Sequence, residues 1–390
     1  MNKSLDSSLN KLETWLESVG YSAYDPFDGL NAWIRPLAAG KLGRQILLQG
    51  VRRFPLNLRP LLGIKPSPSS KGMGYIARAY LKIYERTRNE SYLDKGKDCL
   101  EWLTEHTSRG YSGCSWGNHF DYQSRGFYLP AGEPTVVWTA LIAHAFLDAW
   151  EITGTPRYLE ISKKSCQFII NDLEHRQFRN GICISYIPNK FNAVHNANMH
   201  AAAVLARTYR HTGNEHLREL ARLAASYTID AQRDDGAWWY GEKENLHWID
   251  NFHTAYVLDA LYWYMNSTDE MNYWNNFESG AKYYVENFFM KDGTPKYYNH
   301  RVYPIDIQCA SQSIETLVLL AETIDPELIK LADKVAHWTI DNMQSGKGYF
   351  YFRKGRFWTN KTAMLHWGQA TMFYALAKII LYMEEHQDEN

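Results

Sequence analysis

Residues 250–264 read DNFHTAYVLDALYWY, a polar head (Asp250, Asn251, His253) followed by a helix-length run that is apolar around most of its circumference. A helix of that kind is surrounded by other helices, because one lying on a surface keeps a wet face. The next long segment, YWNNFESGAKYYVENFF (273–289), has apolar residues at i, i+3, i+4 and i+7 with charges between them. That pattern gives one buried stripe and one wet face. The two segments are read as the inner and outer members of a helical hairpin.

The hairpin recurs roughly every 55 to 60 residues, a period typical of stacked helical repeats. Inner-type helices start near Gly72, Pro134, Asn196, Asp250, Gln308 and His366, and each carries small residues among large apolar ones. Outer-type helices occupy residues 90–107, 156–176, 214–233, 273–289 and 326–344. Short turns containing Asn89, Gly154-Thr155-Pro156, Gly213-Asn214 or Pro326 join inner to outer members, where Gly or Asn stops one helix and Asn or Pro opens the next. Repeated around a closed ring, this gives an all-α (α/α)6 toroid.

A periodic chain buries its apolar faces only against neighbouring repeats, so the length is read as one toroid domain over residues 66–390 rather than as several domains. Residues 1–65 are read as an N-terminal helix and a basic arm, broken by Pro55 and Pro60, that packs on the ring. A peripheral contact with membrane lipid or an acidic polymer through that arm is the other reading.

Composition removes several classes. Net charge is −1, which gives no reason to expect nucleic acid. No phosphate-binding glycine loop and no HExxH pair occurs, so neither a cofactor nor a metal is expected. The start carries no export signal and no apolar run of membrane-spanning length is read, so a cytoplasmic location is expected. The five cysteines are scattered without CxxC spacing and read as small core residues.

Aromatic residues make up 15% of the chain, and many fall in loops preceding inner helices, among them Trp116, Tyr186, Trp239, Tyr240 and Trp248. Flat rings beside hydrogen-bonding groups suit sugars, which have an apolar face and polar edges. Polar residues recur at the same phase of successive modules: Glu133; His195, Asn196 and His200; Asp250 and His253; Asp306, Gln308 and Gln312; and His366. Some also read as helix caps, Asp250 and Asn196 above all. Caps do not account for the histidines and glutamines.

The segment QRDDGAWWYGEKENLHWIDNFHTAYVLDAL (232–261) places carboxylates, aromatic platforms and His253 close together, and RNGICISYIPNKFNAVHNANMHAAAVLA (179–206) adds Tyr186, His195 and His200. The repeat pattern and the D-G-x-W-x-Y-G loop resemble the (α/α)6-toroid carbohydrate enzymes: unsaturated glucuronyl hydrolases, N-acylglucosamine epimerases and toroid polysaccharide lyases. The element G-I-C-I-S-Y-x-P followed by an N-x-N helix start is similar to the helical domain of glucuronyl C5-epimerases. The likeness covers residues 66–385 as architecture, without one family's full catalytic set, and extends to proteins of bacterial surface-polysaccharide gene clusters.

The residues and the resemblance together imply an enzyme acting by acid–base chemistry on a uronic-acid or amino-sugar glycan. Candidate catalytic residues are Asp250, His253, Tyr240, Tyr186 and His195. Candidate substrate contacts are Trp116, His119, Glu133, Asn196, His200, Asp235, Trp239, Arg301, Asp306, Gln308, Gln312 and His366. Hydrolysis requires two facing carboxyl groups, Asp250 with Glu133, Asp235 or Asp306. Elimination or C5 epimerisation requires a base beside the uronate and a cation such as Arg301 or Lys296 on its carboxylate. A terpenoid-cyclase-like toroid and a non-catalytic glycan-binding or scaffold protein remain as alternatives.

Overall fold

The computed structural model describes residues 3–178 and 180–386. In chain order its helices are α1 (Lys3–Ser18), α2 (Gly40–Arg53), α3 (Ser70–Thr87), α4 (Glu90–Glu105), α5 (Val136–Thr153), α6 (Pro156–Asn171), α7 (His195–Thr212), α8 (Glu215–Asp230), α9 (Asn251–Thr268), α10 (Trp274–Phe288), α11 (Ile307–Thr323), α12 (Leu328–Met343) and α13 (Ala370–Glu385). Helices α3, α5, α7, α9, α11 and α13 pack side by side, and α13 returns to α3, closing the inner ring. Ala140, Ala202, Ala260 and Ala375 on these helices are buried, and such small side chains let neighbouring backbones approach. Helix α5 is long and apolar enough to cross a membrane, yet most of it is buried in the ring wall.

Tight turns send each outer helix back antiparallel to its inner partner. Gly154 and Gly213 close α5 and α7 at φ 65°, their N–H groups bonding back to the carbonyls of Trp150 and Tyr209, a left-handed position that glycine adopts without strain. The inner helices therefore run parallel, with all their N-termini at one end of the ring. That end is the mouth.

Five of the six outer positions are filled by α4, α6, α8, α10 and α12. The sixth is filled by α1, which packs on α13 and α12 and buries Leu5, Leu9, Leu12 and Leu16. The first helix therefore packs into the outer layer of the ring. Between α1 and α3 the chain crosses the mouth. Tyr24 bridges to Met364, Arg59 is buried against Asp28 at 2.7 Å and donates to the Asp25 carbonyl at 2.6 Å, and α2 lies over the loops. Arg44 of α2 donates to Gln123 at 2.9 Å, in the short ladder β1 (Tyr122–Gln123) with β2 (Tyr128–Leu129), and Gln45 donates to the Ser124 carbonyl. The other ladders are β3 (His175–Phe178) with β4 (Gly181–Ile184), and β5 (Ile305–Asp306) with β6 (Arg353–Lys354) and β7 (Thr359–Asn360).

The opposite end of the ring is closed by charge. Arg78, Asp148, Arg207, Asp259, Glu315 and Lys378 each come from a different inner helix. Arg78 meets Asp148 at 2.7 Å, and Arg207 meets Asp148 at 2.9 Å and Glu151 at 2.8 Å. Burial disfavours the Asp148 carboxylate, but Arg78 and Arg207 outweigh it and hold the group below its ordinary range. Asp259 goes the other way: burial, then the charge of Glu315, push its pKa up, while it accepts a bond from the Gln312 side-chain amide at 2.7 Å.

A candidate active site in the toroid mouth

Asp250 is the N-cap of α9, accepting the His253 backbone N–H on Oδ1 at 3.1 Å. Its Oδ2 meets His253 Nδ1 at 2.8 Å and accepts Trp248 Nε1–H at 2.9 Å. Asp250 is buried and His253 is partly exposed. An ionised carboxylate only accepts, so Nδ1 carries a proton toward Asp250, and in the neutral imidazole this leaves Nε2 as the acceptor. Tyr240 stacks on Trp248 with ring centres 4.4 Å apart and lies 4.5 Å from the His253 ring.

Tyr186, Tyr122 and Tyr297 stand close enough to Tyr240 to act on its charge, and with Trp248 and Tyr298 they give a partly exposed aromatic cleft with His253 at its edge. Burial pushes the phenols of Tyr186 and Tyr240 up, which favours hydrogen-bond donation and apolar wall over service as a base. The Arg52 guanidinium enters from α2, 4.5 Å from the centre of the Phe27 ring and 5.9 Å from that of Trp367. Burial, then Arg353 nearby, lower its pKa.

Beneath the cleft the inner helices turn polar residues toward the axis. Lys71 of α3 donates to Tyr256 Oη of α9 at 3.3 Å, and Gln308 of α11 donates to the same oxygen at 3.1 Å. His200 of α7 meets the Tyr256 ring edge-on at 4.8 Å. Burial pushes Lys71 down to about 8, and burial together with the Lys71 charge pushes His200 down to about 3. Among the described residues the buried atoms His200 Nε2, Asn196 Oδ1, Gln308 Oε1 and Gln312 Oε1 have no hydrogen-bond partner. Buried polar groups in native proteins are nearly always satisfied, so these atoms mark a place for solvent or ligand.

A second histidine–carboxylate pair, His366 with Asp25, stands beside Trp138, whose ring centre is 5.1 Å from that of His366. Burial works against the Asp25 carboxylate, but His366 and then His119 favour it enough to hold its pKa low. His119 also lines a groove of about 640 Å³ with Asn31, Lys65, Ser70 and Asn118, at the edge of the arm.

The structure therefore gathers Asp250, His253, Tyr240 and Tyr186 around one cleft, with Asn196, His200, Gln308 and Gln312 on the axis below and His119 and His366 at its side. His195 is not among them: its ring stacks 5.5 Å from Tyr227 of outer helix α8, and its backbone N–H bonds to the Tyr240 carbonyl. Asn196 does not cap α7, because the helix already begins at His195. Trp116 is core, donating to the Leu103 carbonyl and stacking on Phe146. Glu133 is at the outer rim beside Asn189. Exposed Asp235 pairs with half-buried Arg233, which also lies over Trp239, and the neighbouring Gln232 is tied to α10. Arg301 is exposed over Tyr298.

Asp306 is at the mouth but saturated, accepting from Gln308 N–H, Arg353 Nε–H and Trp367 Nε1–H. It positions the Trp367 ring that closes the axis. Sequence reading overlooked Asp25, Arg52, Lys71, Tyr75, Tyr256 and Trp367. Lys71, Tyr75 and Arg78 at i, i+4 and i+7 carried a signal, an internal polar stripe on an otherwise apolar helix. Among the described residues no group of three or more His, Cys, Asp or Glu is placed to hold a metal.

By architecture this is an (α/α)6 toroid, and solved structures agree. It is similar to the cellobiose 2-epimerase of Bacillus thermoamylovorans B4167, with 14% identity over 80% of this chain and 87% of that one and a TM-score of 0.63. The GH76 alpha-mannanase of Bacteroides thetaiotaomicron gives 13% identity, 83% and 88% coverage and a TM-score of 0.66. A polysaccharide lyase gives 11%, 81%, 91% and 0.59. No family model matches the chain, and no curated protein matches it in sequence.

Proposed function

We propose that this chain is a carbohydrate-active enzyme that moves a proton on an acidic sugar by epimerisation or elimination, with His253 as the base and Asp250 as the group that orients it. The observation that carries the reading is the Asp250–His253 pair at the edge of the aromatic cleft, with Nδ1 of the partly exposed imidazole held by the carboxylate. The named structural neighbours are an epimerase, a glycan hydrolase and a lyase, which supports sugar chemistry on this scaffold. An acidic sugar is favoured by Arg52 and Lys71. Lys71 is buried and Arg52 half-buried at the mouth, and among the described residues neither has a carboxylate within ion-pair distance. A uronate carboxylate would supply one.

Hydrolysis by two facing carboxylates fits less well, because Asp250 and Asp306 have their oxygens committed to donors and Glu133 and Asp235 lie at the rim. A carbocation chemistry of the terpenoid kind is disfavoured by the same two cations at the mouth. The five cysteines are unpaired, in keeping with a reducing, cytoplasmic setting, and a role in bacterial polysaccharide biosynthesis belongs to this proposal. The test is turnover and binding on a panel of acidic and neutral oligosaccharides by the wild type and by His253→Gln. Turnover of uronate-containing members, lost on the order of a hundredfold in the variant with binding retained, is the expected result. Binding without turnover by the wild type would make the protein a glycan-binding module instead.

A further inference from the structure

Most large apolar side chains that remain in water sit together. Of the thirteen exposed ones among the described residues, seven belong to the arm, namely Trp33, Leu37, Leu42, Ile46, Phe54, Leu56 and Leu61, and Phe357 and Trp358 form a tip nearby. Leu37, Leu61 and Phe357 are 83%, 78% and 88% exposed. These residues form one surface: Trp33 Nε1 donates to the Leu61 carbonyl at 3.2 Å, and Asn360, at the base of the β6–β7 hairpin, donates to the Phe54 carbonyl at 2.9 Å. Exposed Tyr128 joins it through Arg35 and Arg44. On α2, Leu42 and Ile46 share the outward face while Leu48 and Val51 are buried beneath. A soluble monomer rarely leaves so contiguous an apolar face uncovered.

The charge around this face has one sign. Residues 29–65 contain seven Lys and Arg and no Asp or Glu, in a chain whose net charge is −1. Exposed Lys41, Arg53 and Lys65 are in the arm, and exposed Arg356 and Lys361 in the tip hairpin. The nearest acids are neutralised, Asp28 by Arg59 and Asp121 by Arg35. Apolar side chains ringed by cations match the acyl boundary and headgroups of an anionic bilayer. An interface with a second copy would bring the same cations together.

We infer that residues 29–65, with the tip at residues 356–358, form a docking surface for an anionic lipid bilayer. Arg52 reaches from the same helix into the mouth, over Phe27 and Trp367, so docking turns the cleft toward the membrane. Resting on the acidic-glycan reading, this makes the natural substrate a glycan still attached to a membrane lipid. The docking itself does not depend on that reading, and its test uses no substrate.

The experiment is co-sedimentation of the full chain with vesicles of phosphatidylcholine alone or mixed with phosphatidylglycerol, at low and high salt. The expected result is binding to the mixed vesicles that weakens with salt. Lys41→Glu and Arg53→Glu should each weaken it by at least roughly fivefold. The triple variant Leu42→Ser, Ile46→Ser, Phe357→Ser should abolish it while melting cooperatively like the wild type, because these side chains are already in water. Failure of the wild type to sediment with anionic vesicles, or undiminished binding by the triple variant, overturns the inference. A stable dimer that the triple variant loses, with no vesicle binding, assigns the face to a second copy and overturns it too.

Discussion

Asp250→Asn separates capping from chemistry. Capping alone predicts a loss below about 1 kcal/mol, because asparagine is as good an N-cap as aspartate. The structure raises that figure. One oxygen must stay on the His253 backbone N–H, so the amide nitrogen takes the place of Oδ2 and faces Trp248 Nε1–H and His253 Nδ1, now 2.9 and 2.8 Å from Oδ2. The imidazole can adapt by moving its proton to Nε2, whereas the indole cannot. A part-buried donor left facing another donor costs about 1–3 kcal/mol, and that is the expected loss. The tautomer change also removes the Nε2 lone pair, so turnover of an acidic glycan should fall on the order of a hundredfold or more. Urea denaturation gives the first quantity, and long-range nitrogen-15 NMR of the imidazole gives the tautomer directly. A variant as stable as the wild type, with His253 still protonated on Nδ1, would refute the reasoning whether or not a substrate is in hand.

Lys71→Met tests the buried amine. Its folded pKa of about 8 lies below the ordinary 10.5, so between these values the unfolded state binds more protons and wild-type stability gains from this group as pH rises; below pH 8 the gain is absent. The unfolding free energy of the variant minus that of the wild type should therefore fall between pH 8 and 9.5, and a constant difference would contradict the assignment. Arg59→Leu strips the buried Asp28 carboxyl of its partner and should cost about 3–5 kcal/mol, read by denaturation at neutral pH; a loss under 1 kcal/mol would show the arm's anchor lies elsewhere. Leu9→Ala and Leu12→Ala should each cost about 2–5 kcal/mol in a single cooperative unfolding transition, since both side chains are buried in the ring. A separate early transition of α1 would detach it from the toroid.

Periodicity was enough to read the hairpins. An inner helix walled on all sides must be apolar nearly all round and an outer one must not, so the alternation of DNFHTAYVLDALYWY with YWNNFESGAKYYVENFF already carries the topology. The Asp250–His253 pair was equally legible, because three residues at a helix start fix both which face they share and which donors they meet. Which polar residues face the axis was not. His195 and His200 lie in one helix five residues apart and point opposite ways, one to Tyr227 on the outer ring and one to Tyr256 on the axis, because helix phase is set by packing against neighbours rather than by local pattern. The sixth outer helix is another case: α1 is the most distant segment from α13 in the chain, and only ring closure, which buries their apolar stripes together, brings them side by side. Arg52 and Asp25 belong to the site for the same reason, since the arm that carries them reaches the mouth only through tertiary packing over the loops.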